Sequence, residues 1–226
     1  MKDRVAVITG ATGGLGSVVA KRLAGEGARL VLTGTNAGRL ERLAGELALP
    51  PDRVLTGVYN FVEPRAAGLA AEMVLEKFGQ VDALLHLVGG WTGGKPVVDV
   101  PPGDLTHMLD QHVWTTFHVA RAAVPHMVEA GWGRVVAVLP TTVATPGTNG
   151  AAYTAAKAAQ DALLVSLARE LKGTGVTANL LVVRAIDADH SGKAGWATPE
   201  ELAAAILYLC SDEAAGINGA RIPVTG

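Results

Sequence analysis

The chain has 226 residues, of which 49% are hydrophobic and 18% are charged, and this composition supports a large buried core and argues against disorder. Its formal net charge is −2 and it has no basic cluster or stripe, so nucleic acid is not expected as a partner. No apolar run approaches the roughly 20 residues of a membrane span, and the first ten residues lack a signal-peptide pattern. We therefore expect a cytoplasmic protein without membrane contact. The single cysteine, Cys210, excludes an internal disulfide and a cysteine-cluster metal site, and no metal is expected.

Short apolar runs alternate with amphipathic segments along the whole chain. Strands are predicted at residues 5–8, 29–33, 53–58, 81–88, 135–139, 176–183 and 221–224. Helices are predicted at residues 15–25, 37–47, 64–78, 102–130 and 199–209, and another helix follows the fifth strand. Each strand is apolar enough to be covered on both faces. The pattern therefore predicts an α/β fold, namely a single-domain Rossmann fold over residues 1–226 with a doubly wound, seven-stranded parallel sheet and helices on both faces.

A glycine-rich turn joins the first strand to the first helix, with the sequence Thr9-Gly10-Ala11-Thr12-Gly13-Gly14-Leu15-Gly16. Glycine there permits a tight turn and lets backbone N–H groups approach a pyrophosphate at the helix N-terminus, where the helix dipole favours negative charge. The sequence therefore predicts dinucleotide binding by residues of this turn, which are Gly10, Thr12, Gly14, Leu15 and Gly16.

Tyr153 and Lys157 lie four residues apart on an alanine-rich helix, so their side chains are neighbours on one face. The Thr-Gly-x-x-x-Gly-x-Gly turn, followed about 140 residues later by Tyr-x-x-x-Lys, resembles the short-chain dehydrogenase/reductase family over essentially the whole chain. The resemblance implies that Tyr153 protonates a carbonyl or deprotonates an alcohol. It also implies that Lys157 holds the nicotinamide ribose and lowers the tyrosine pKa, as an adjacent ammonium would.

The end of the second strand bears on the choice of nicotinamide cofactor. An acidic residue there would select NAD, but this chain has Thr35 and Asn36, followed by Arg39. These side chains would suit a 2′-phosphate, so NADP is the expected cofactor and NAD remains possible; alternatively, Asn36 caps the second helix and Arg39 is solvated. The resemblance implies further cofactor contacts, and the residues concerned are Asn60, Phe61, Gly89, Gly90 and Ile186. His86 stands where the family has an asparagine, and we expect it to have a packing role rather than a catalytic one.

Three further positions depart from the family pattern. Pro140 stands where the resemblance implies a catalytic serine, and Thr141 or Thr142 is the nearest replacement, although both also suit a role in satisfying loop backbone groups. His112 stands where the resemblance implies an asparagine that anchors a proton-relay water, so it is a candidate catalytic residue or a buried structural histidine. Arg184 belongs to a Val-Arg pair that replaces the usual Pro-Gly, and it either contacts an anionic or polar substrate or points to solvent.

Two interpretations account for these departures. The loop Gly89-Gly90-Trp91-Thr92-Gly93-Gly94 resembles that of dihydropteridine reductases, a branch of the family that also lacks the serine and reduces a quinonoid pterin. An electron-poor heterocycle delocalises incoming charge, so a polarising hydroxyl matters less, and Trp91 would stack on the ring or line the pocket mouth. The alternative is a redox sensor or assembly partner that binds the cofactor without catalysis, although retention of Tyr153 and Lys157 argues against it. We predict an oxidoreductase that transfers hydride between NADP(H) and a small carbonyl or pterin-like substrate.

Apolar residues extend beyond a single core-facing stripe on the 102–130 helix and on the helix that carries Tyr153. Examples are Trp114, Phe117 and Leu163. In the family that this chain resembles, these two helices pack against their copies in a second subunit. We therefore expect a homodimer or homotetramer.

Overall fold

The computed structural model describes residues 1–226, which form an all-parallel, seven-stranded sheet with the strand order β3-β2-β1-β4-β5-β6-β7. The strands are β1 (Val5–Thr9), β2 (Arg29–Gly34), β3 (Val54–Val58), β4 (Ala83–His86), β5 (Gly133–Pro140), β6 (Val176–Val183) and β7 (Arg221–Pro223). The helices are α1 (Gly14–Gly25), α2 (Ala37–Leu47), α3 (Pro64–Phe78), α4 (Pro102–Leu109), α5 (Thr115–Glu129), α6 (Ala151–Glu170) and α7 (Pro199–Leu209). The predicted doubly wound Rossmann fold is confirmed.

Successive side chains of each strand contribute to cores on opposite faces of the sheet. In β1, Ala6 and Ile8 belong to a core that includes residues of α1, α2 and α7. Val5 and Val7 belong to the other core, which includes residues of α3, α5 and α6. The two cores contain 24 and 23 buried residues, so both faces of the sheet are covered to a similar extent.

The winding of the chain reverses between β1 and β4, which are neighbours in the sheet. Thr9, the last residue of β1, lies opposite His86, the last residue of β4. In open parallel sheets, ligands bind outside the carboxyl ends of the strands at such a reversal point. The glycine turn and the residues after His86 therefore leave the sheet side by side where a ligand is expected.

Some predicted bounds differ from the structure. β4 is shorter than 81–88, and β5 is longer than 135–139 because its pairing with β6 extends from Gly133 to Pro140. The predicted helix at 102–130 is divided by a π turn (Asp110–Trp114). Here the hydroxyls of Thr115 and Thr116 donate to backbone carbonyls four residues earlier, at 2.6 and 2.5 Å, and such bonds often accompany a distorted helix.

A buried arginine, Arg134, lies near the amino-terminal ends of the strands, at the edge of the sheet opposite the glycine turn. The Arg134 guanidinium donates to the carbonyl oxygens of Gly133, Gly175 and Ser211. It also lies over the Trp132 ring, 4.3 Å from the centroid. These contacts satisfy a charged group that would otherwise destabilise the core.

Cys210 directly follows α7 and is 1% exposed. Burial raises the pKa of its thiol to about 12, because the thiolate is disfavoured without water. This agrees with the structural role that its apolar surroundings predict.

No helix of the chain has both the length and the hydropathy needed to cross a lipid bilayer.

Candidate active site

A cleft of about 660 Å³ opens at the carboxyl ends of the central strands. This volume is in the range of sites that hold cofactors and other small molecules. The sequence-predicted site residues that line it are Gly10, Thr12, Gly14, Leu15, Gly16, Thr35, Asn60, Phe61, Gly89, Tyr153, Lys157, Arg184 and Ile186. Its ionisable lining groups are two tyrosines, two histidines, one lysine and one arginine, with no carboxylate. The cleft therefore suits an anionic ligand.

The glycine turn is closed by contacts that only glycine permits. Gly10 adopts a left-handed conformation with φ of +69°, and a Cβ there would lie 2.7 Å from the Leu87 carbonyl oxygen. A Cβ at Gly16 would overlap the Gly10 carbonyl oxygen. The N-cap residue of α1 is Gly13, so no side chain caps the first N–H groups of the helix. These groups and the helix dipole favour a bound anion such as a pyrophosphate.

Tyr153 and Lys157 lie one turn apart on α6 and line the same cleft. The Lys157 side chain is buried, and its ammonium donates to the Val138 carbonyl oxygen (3.0 Å) and to Gln160 Oε1 (2.9 Å). Burial lowers the pKa of Lys157 to about 7, because loss of water disfavours the charged form. The lysine thus changes charge near neutral pH.

Burial raises the pKa of the Tyr153 phenol. This direction is opposite to the lowering by Lys157 that the resemblance implies, because desolvation disfavours the phenolate. The ammonium of Lys157 is directed to Val138 and Gln160 instead. At neutral pH the phenol stays protonated, which is the form that donates a proton.

His112 is fully buried in the π turn and does not line the cleft. Its Nε2 donates to the Gly90 carbonyl oxygen (3.1 Å), and its ring packs edge-to-face on Tyr153, with 5.4 Å between the centroids. Burial, assisted by the charge of Lys157, lowers the pKa of His112 to about 3. The neutral ring has a buried Nδ1 without a hydrogen-bond partner. His112 thus links the loop after β4 to Tyr153, and this geometry favours the structural alternative of the two sequence interpretations.

His86 connects the ends of the central strands to the π turn. Its Nδ1 lies 2.8 Å from Thr9 Oγ1, and its Nε2 lies 3.3 Å from Thr115 Oγ1. Burial is the main cause that lowers the pKa of His86 to about 3, followed by the charges of Lys157 and His112. The side chain is neutral and fixed, as the expected packing role requires, although it also lines the cleft.

The remaining predicted site residues lie outside the cleft lining, and they are Asn36, Arg39, Gly90, Trp91, Thr141 and Thr142. Asn36 caps α2, because its Oδ1 accepts from the Arg39 backbone N–H (3.0 Å). Trp91 is 63% exposed. Thr141 is exposed at the start of a 3-10 turn (Thr141–Val143), whereas the Thr142 hydroxyl is buried without a partner. Neither threonine is brought to the cleft beside Pro140, which does line it.

The segment after β6 folds over the glycine turn. A Cβ at Gly14 would lie 3.3 Å from the Ala188 Cβ. The buried Asp187 carboxylate holds this segment by accepting from Ser191 Oγ (2.7 Å), from the Ser191 N–H (2.9 Å) and from the Gly192 N–H (2.8 Å). These bonds lower the pKa of Asp187. Arg184 and Ile186 therefore approach the cleft from an ordered loop.

Several residues near the cleft were missed from the sequence. Gln111 and Thr115 line it, and Gln111 Nε2 donates to the Gly89 carbonyl oxygen (2.6 Å). Gln160 binds Lys157 from the buried face of α6. The sequence does show Gln160 as a polar residue on the apolar side of an alanine-rich helix. Its hydrogen-bond partner, however, depends on how the helices pack.

Comparisons with known proteins agree with this geometry. Residues 4–196 match the short chain dehydrogenase family. A hydroxy(phenyl)methylsuccinyl-CoA dehydrogenase subunit from Thauera aromatica is 32% identical over 235 residues, covering 99% of this chain and 93% of the relative. A 1,6-dihydroxycyclohexa-2,4-diene-1-carboxylate dehydrogenase from Pseudomonas putida is 32% identical over 255 residues, covering 100% of this chain and 92% of the relative.

Among solved structures, a 3-ketoacyl-(acyl-carrier-protein) reductase from Brucella melitensis complexed with NADH superimposes with a TM-score of 0.90. It is 28% identical, and the match covers 99% of this chain and 97% of that one. A doubly wound sheet that brings a glycine turn and a Tyr/Lys pair to one cleft defines an NAD(P)-dependent oxidoreductase. The chain belongs to the short-chain dehydrogenase family.

Proposed function

We propose that residues 1–226 form one nicotinamide-binding domain that transfers hydride between NADP(H) and a small carbonyl compound or the corresponding alcohol. One observation carries this proposal: Tyr153 and Lys157 line the same cleft as the glycine turn. An acid–base side chain and an anion-binding turn serve a common ligand only when they share a site.

The cleft residues fit a nicotinamide dinucleotide. The glycine turn and the uncapped start of α1 suit its pyrophosphate, and Thr35, directly after β2, suits the adenosine ribose. We assign Asn60 and Phe61 to the adenine, and Tyr153 and Lys157 to the nicotinamide ribose; the others in this set are Gly89, Gly90 and Ile186. When bound, the cofactor supplies or accepts the hydride.

The protein itself contributes the proton on Tyr153 Oη. In reduction, the carbonyl carbon gains a hydride and its oxygen takes the Tyr153 proton, which yields the alcohol; oxidation returns the proton to Tyr153. The raised pKa of Tyr153 keeps this proton in place at neutral pH. Lys157 has two N–H groups bound to the protein, so its third is left for the ligand.

A preference for NADP over NAD is supported by the last residue of β2 and by the residues that follow it. Gly34 and Thr35 line the cleft there, without a carboxylate that would repel a 2′-phosphate. Asn36 uses its oxygen to cap α2, which leaves its amide N–H groups as donors, and Arg39 is exposed on the first turn of that helix. A 2′-phosphate would therefore meet a hydroxyl, an amide and a guanidinium.

An acidic substrate is supported by Arg184, which brings a cation into the cleft. Two of the relatives named above are a dehydrogenase of a cyclic carboxylate and a subunit of a dehydrogenase of a succinyl-CoA compound. Guanidinium groups bind carboxylates through two parallel hydrogen bonds. We therefore place a carboxylate or phosphate of the substrate beside Arg184.

A second candidate substrate is a quinonoid or pterin-like ring. Pro140 lines the cleft and offers no hydroxyl, and Thr141 and Thr142 do not reach the cleft. A conjugated ring spreads the incoming charge, so it needs less polarisation by a hydroxyl than a ketone does. In this reaction Tyr153 would still supply the proton. Trp91 does not line the cleft and is 63% exposed, so no contact with the ring is assigned to it.

Turnover with a defined panel tests both candidates. NADPH oxidation would be measured against simple ketones, ketones that carry a carboxylate, quinones and quinonoid dihydropterin. In Tyr153→Phe we expect turnover to fall by ~10²–10⁴, the contribution of a positioned acid–base group. The dissociation constants of NADPH and NADH, from nicotinamide fluorescence, should stay close to the wild-type values.

Equal turnover of wild type and Tyr153→Phe would remove the tyrosine from the mechanism. Tight cofactor binding without turnover of any compound would favour the sensor interpretation, and a lower dissociation constant for NADH than for NADPH would overturn the cofactor assignment.

A further inference from the structure

A chain of buried polar groups leads away from Lys157. Its ammonium donates to Gln160 Oε1 (2.9 Å), Gln160 Nε2 donates to Thr116 Oγ1 (2.7 Å), and Thr116 Oγ1 donates to the His112 carbonyl oxygen (2.5 Å). Each of the four residues is at most 5% exposed. These groups are therefore largely shielded from bulk water, and they depend on one another for hydrogen bonds.

The direction of every bond in this chain is fixed. The His112 carbonyl oxygen can only accept, so the single hydroxyl proton of Thr116 is used there. The Thr116 oxygen is then an acceptor for Gln160, which turns the amide nitrogen toward Thr116 and the amide oxygen toward Lys157. Thr116 thus determines which end of the Gln160 amide faces the lysine.

Lys157 is held by neutral acceptors alone, the Val138 carbonyl and the Gln160 amide. The ionisable groups around it are His86 from β4, His112 from the π turn, and Tyr153 and Asp161, each one turn away on α6 itself. The one carboxylate among them, Asp161, is bound by Arg221 through two hydrogen bonds (2.6 and 2.7 Å), so Lys157 has no ion pair of its own. The orientation and the charge of Lys157 therefore depend strongly on the two acceptors that it has.

We propose that Gln160 is a positioning residue that aims the Lys157 ammonium into the cleft, and that Thr116 sets the orientation of Gln160. The consequence for catalysis rests on the proposed function, because it requires that Lys157 contacts the cofactor. The effect of Gln160 on Lys157 itself does not, and it can be measured without substrate or cofactor.

The direct measurement is an NMR titration of protein labelled with ¹⁵N at lysine Nζ, with Lys157→Arg used to identify the Lys157 signal. We expect the wild-type signal to titrate near pH 7. Gln160→Glu adds a carboxylate beside the ammonium and should raise the pKa of Lys157 by about one unit or more. Gln160→Leu removes an acceptor of the charged form and should lower the pKa.

Threonine variants test the second half of the proposal. Thr116→Val keeps the shape of the side chain but cannot fix the Gln160 amide, so the Lys157 pKa should change as in Gln160→Leu. Thr116→Ser retains the hydroxyl and should restore the wild-type value. Thr106→Val is the control, since Thr106 bonds only the Pro102 carbonyl on α4, and it should leave Lys157 unchanged.

Cofactor affinity as a function of pH provides the second readout. The pH at which NADPH binding weakens should follow the Lys157 pKa in Gln160→Glu and in Gln160→Leu. A Lys157 pKa that is equal in wild type, Gln160→Glu and Thr116→Val, all of them folded by circular dichroism, would overturn the proposal. If the pKa shifts while cofactor binding does not respond, the positioning role holds and the assignment of Lys157 to the cofactor fails.

Discussion

At the scale of single residues, two buried histidines make the free energy of unfolding decrease at low pH. The pKa values of His86 and His112 are both lowered to about 3, far below the value near 6.5 of an unfolded chain. Below pH 6.5 the unfolded state binds protons that the native state does not. Stability therefore falls as the pH drops from about 6.5 toward 3, and each histidine contributes about 1.4 kcal/mol per pH unit within that window.

Replacement of His86 by Asn should remove one of these contributions. Asn can still hydrogen-bond Thr9 but does not titrate, so the slope of unfolding free energy against pH should decrease by about 1.4 kcal/mol per pH unit between pH 5.5 and 4. Urea unfolding at several pH values measures this slope even if the variant is less stable overall. The same slope in both proteins would mean that His86 is already protonated in the native state.

The residues of the site differ in how far their positions could be predicted. Asn36 is a helix cap that local sequence identifies, and the structure has this cap. The Lys157–Gln160–Thr116 chain could not be predicted, because Thr116 and Gln160 are 44 residues apart and meet only when two helices pack. The direction of the Tyr153 pKa shift was missed for a related reason: it depends on burial.

At the scale of elements, two glycines of α1 differ in the space that is available for a side chain. A Cβ at Gly16 would overlap the Gly10 carbonyl oxygen and lie 2.8 Å from Ala11, whereas a Cβ at Gly25 would have nothing within 4 Å. Backbone atoms cannot move aside as a flexible side chain can. Gly16 is therefore required by the fold of the turn, and Gly25 is not.

Alanine at these two positions should have opposite effects. Gly16→Ala is expected to destabilise the protein by about 1–3 kcal/mol through overpacking and to weaken NADPH binding, because the turn must open. Gly25→Ala should stabilise it by about 0.5–1 kcal/mol through helix propensity, with unchanged NADPH affinity. Denaturant unfolding and fluorescence titration measure both. Wild-type NADPH affinity in Gly16→Ala would show that the turn does not bind the cofactor.

The sequence predicted elements well where hydrophobic periodicity determines the secondary structure, and poorly where tertiary contacts determine it. The alternation of apolar and amphipathic segments was sufficient for all seven strands. The π turn was not predicted. Its residues Gln111 and His112 donate hydrogen bonds to the carbonyl oxygens of Gly89 and Gly90, which lie 22 residues earlier in the chain, and local sequence does not reveal such contacts. A continuous helix is the better choice from local sequence alone.

At the scale of the whole molecule, an aromatic surface patch on the π turn and α5 bears on assembly. It consists of Trp114, Phe117 and His118, whose ring centroids lie within 6.0 Å of one another. Trp114 is 48% exposed and Phe117 is 39% exposed. We propose that this aromatic patch is covered by its copy in a second subunit, which gives the homodimer or homotetramer expected from the sequence.

Charges placed in the aromatic patch should dissociate the assembly. The double variant Trp114→Glu/Phe117→Glu is expected to sediment as a monomer, since burial of two carboxylates at an apolar contact is unfavourable. Leu69→Glu is the matched control, because Leu69 is 56% exposed on α3, and it should keep the wild-type mass. Monomeric wild-type protein, or an oligomer that survives the double substitution, would contradict the proposed interface.

The burial of Cys210 makes this chain convenient for site-specific labelling. A maleimide reagent needs an accessible thiolate, and the one natural cysteine is neither accessible nor ionised at neutral pH. A cysteine introduced on the protein surface would therefore react alone, without prior removal of Cys210. Fluorescent or spin labels on the loop between β6 and α7 would then report its distance from the sheet while the core remains unaltered.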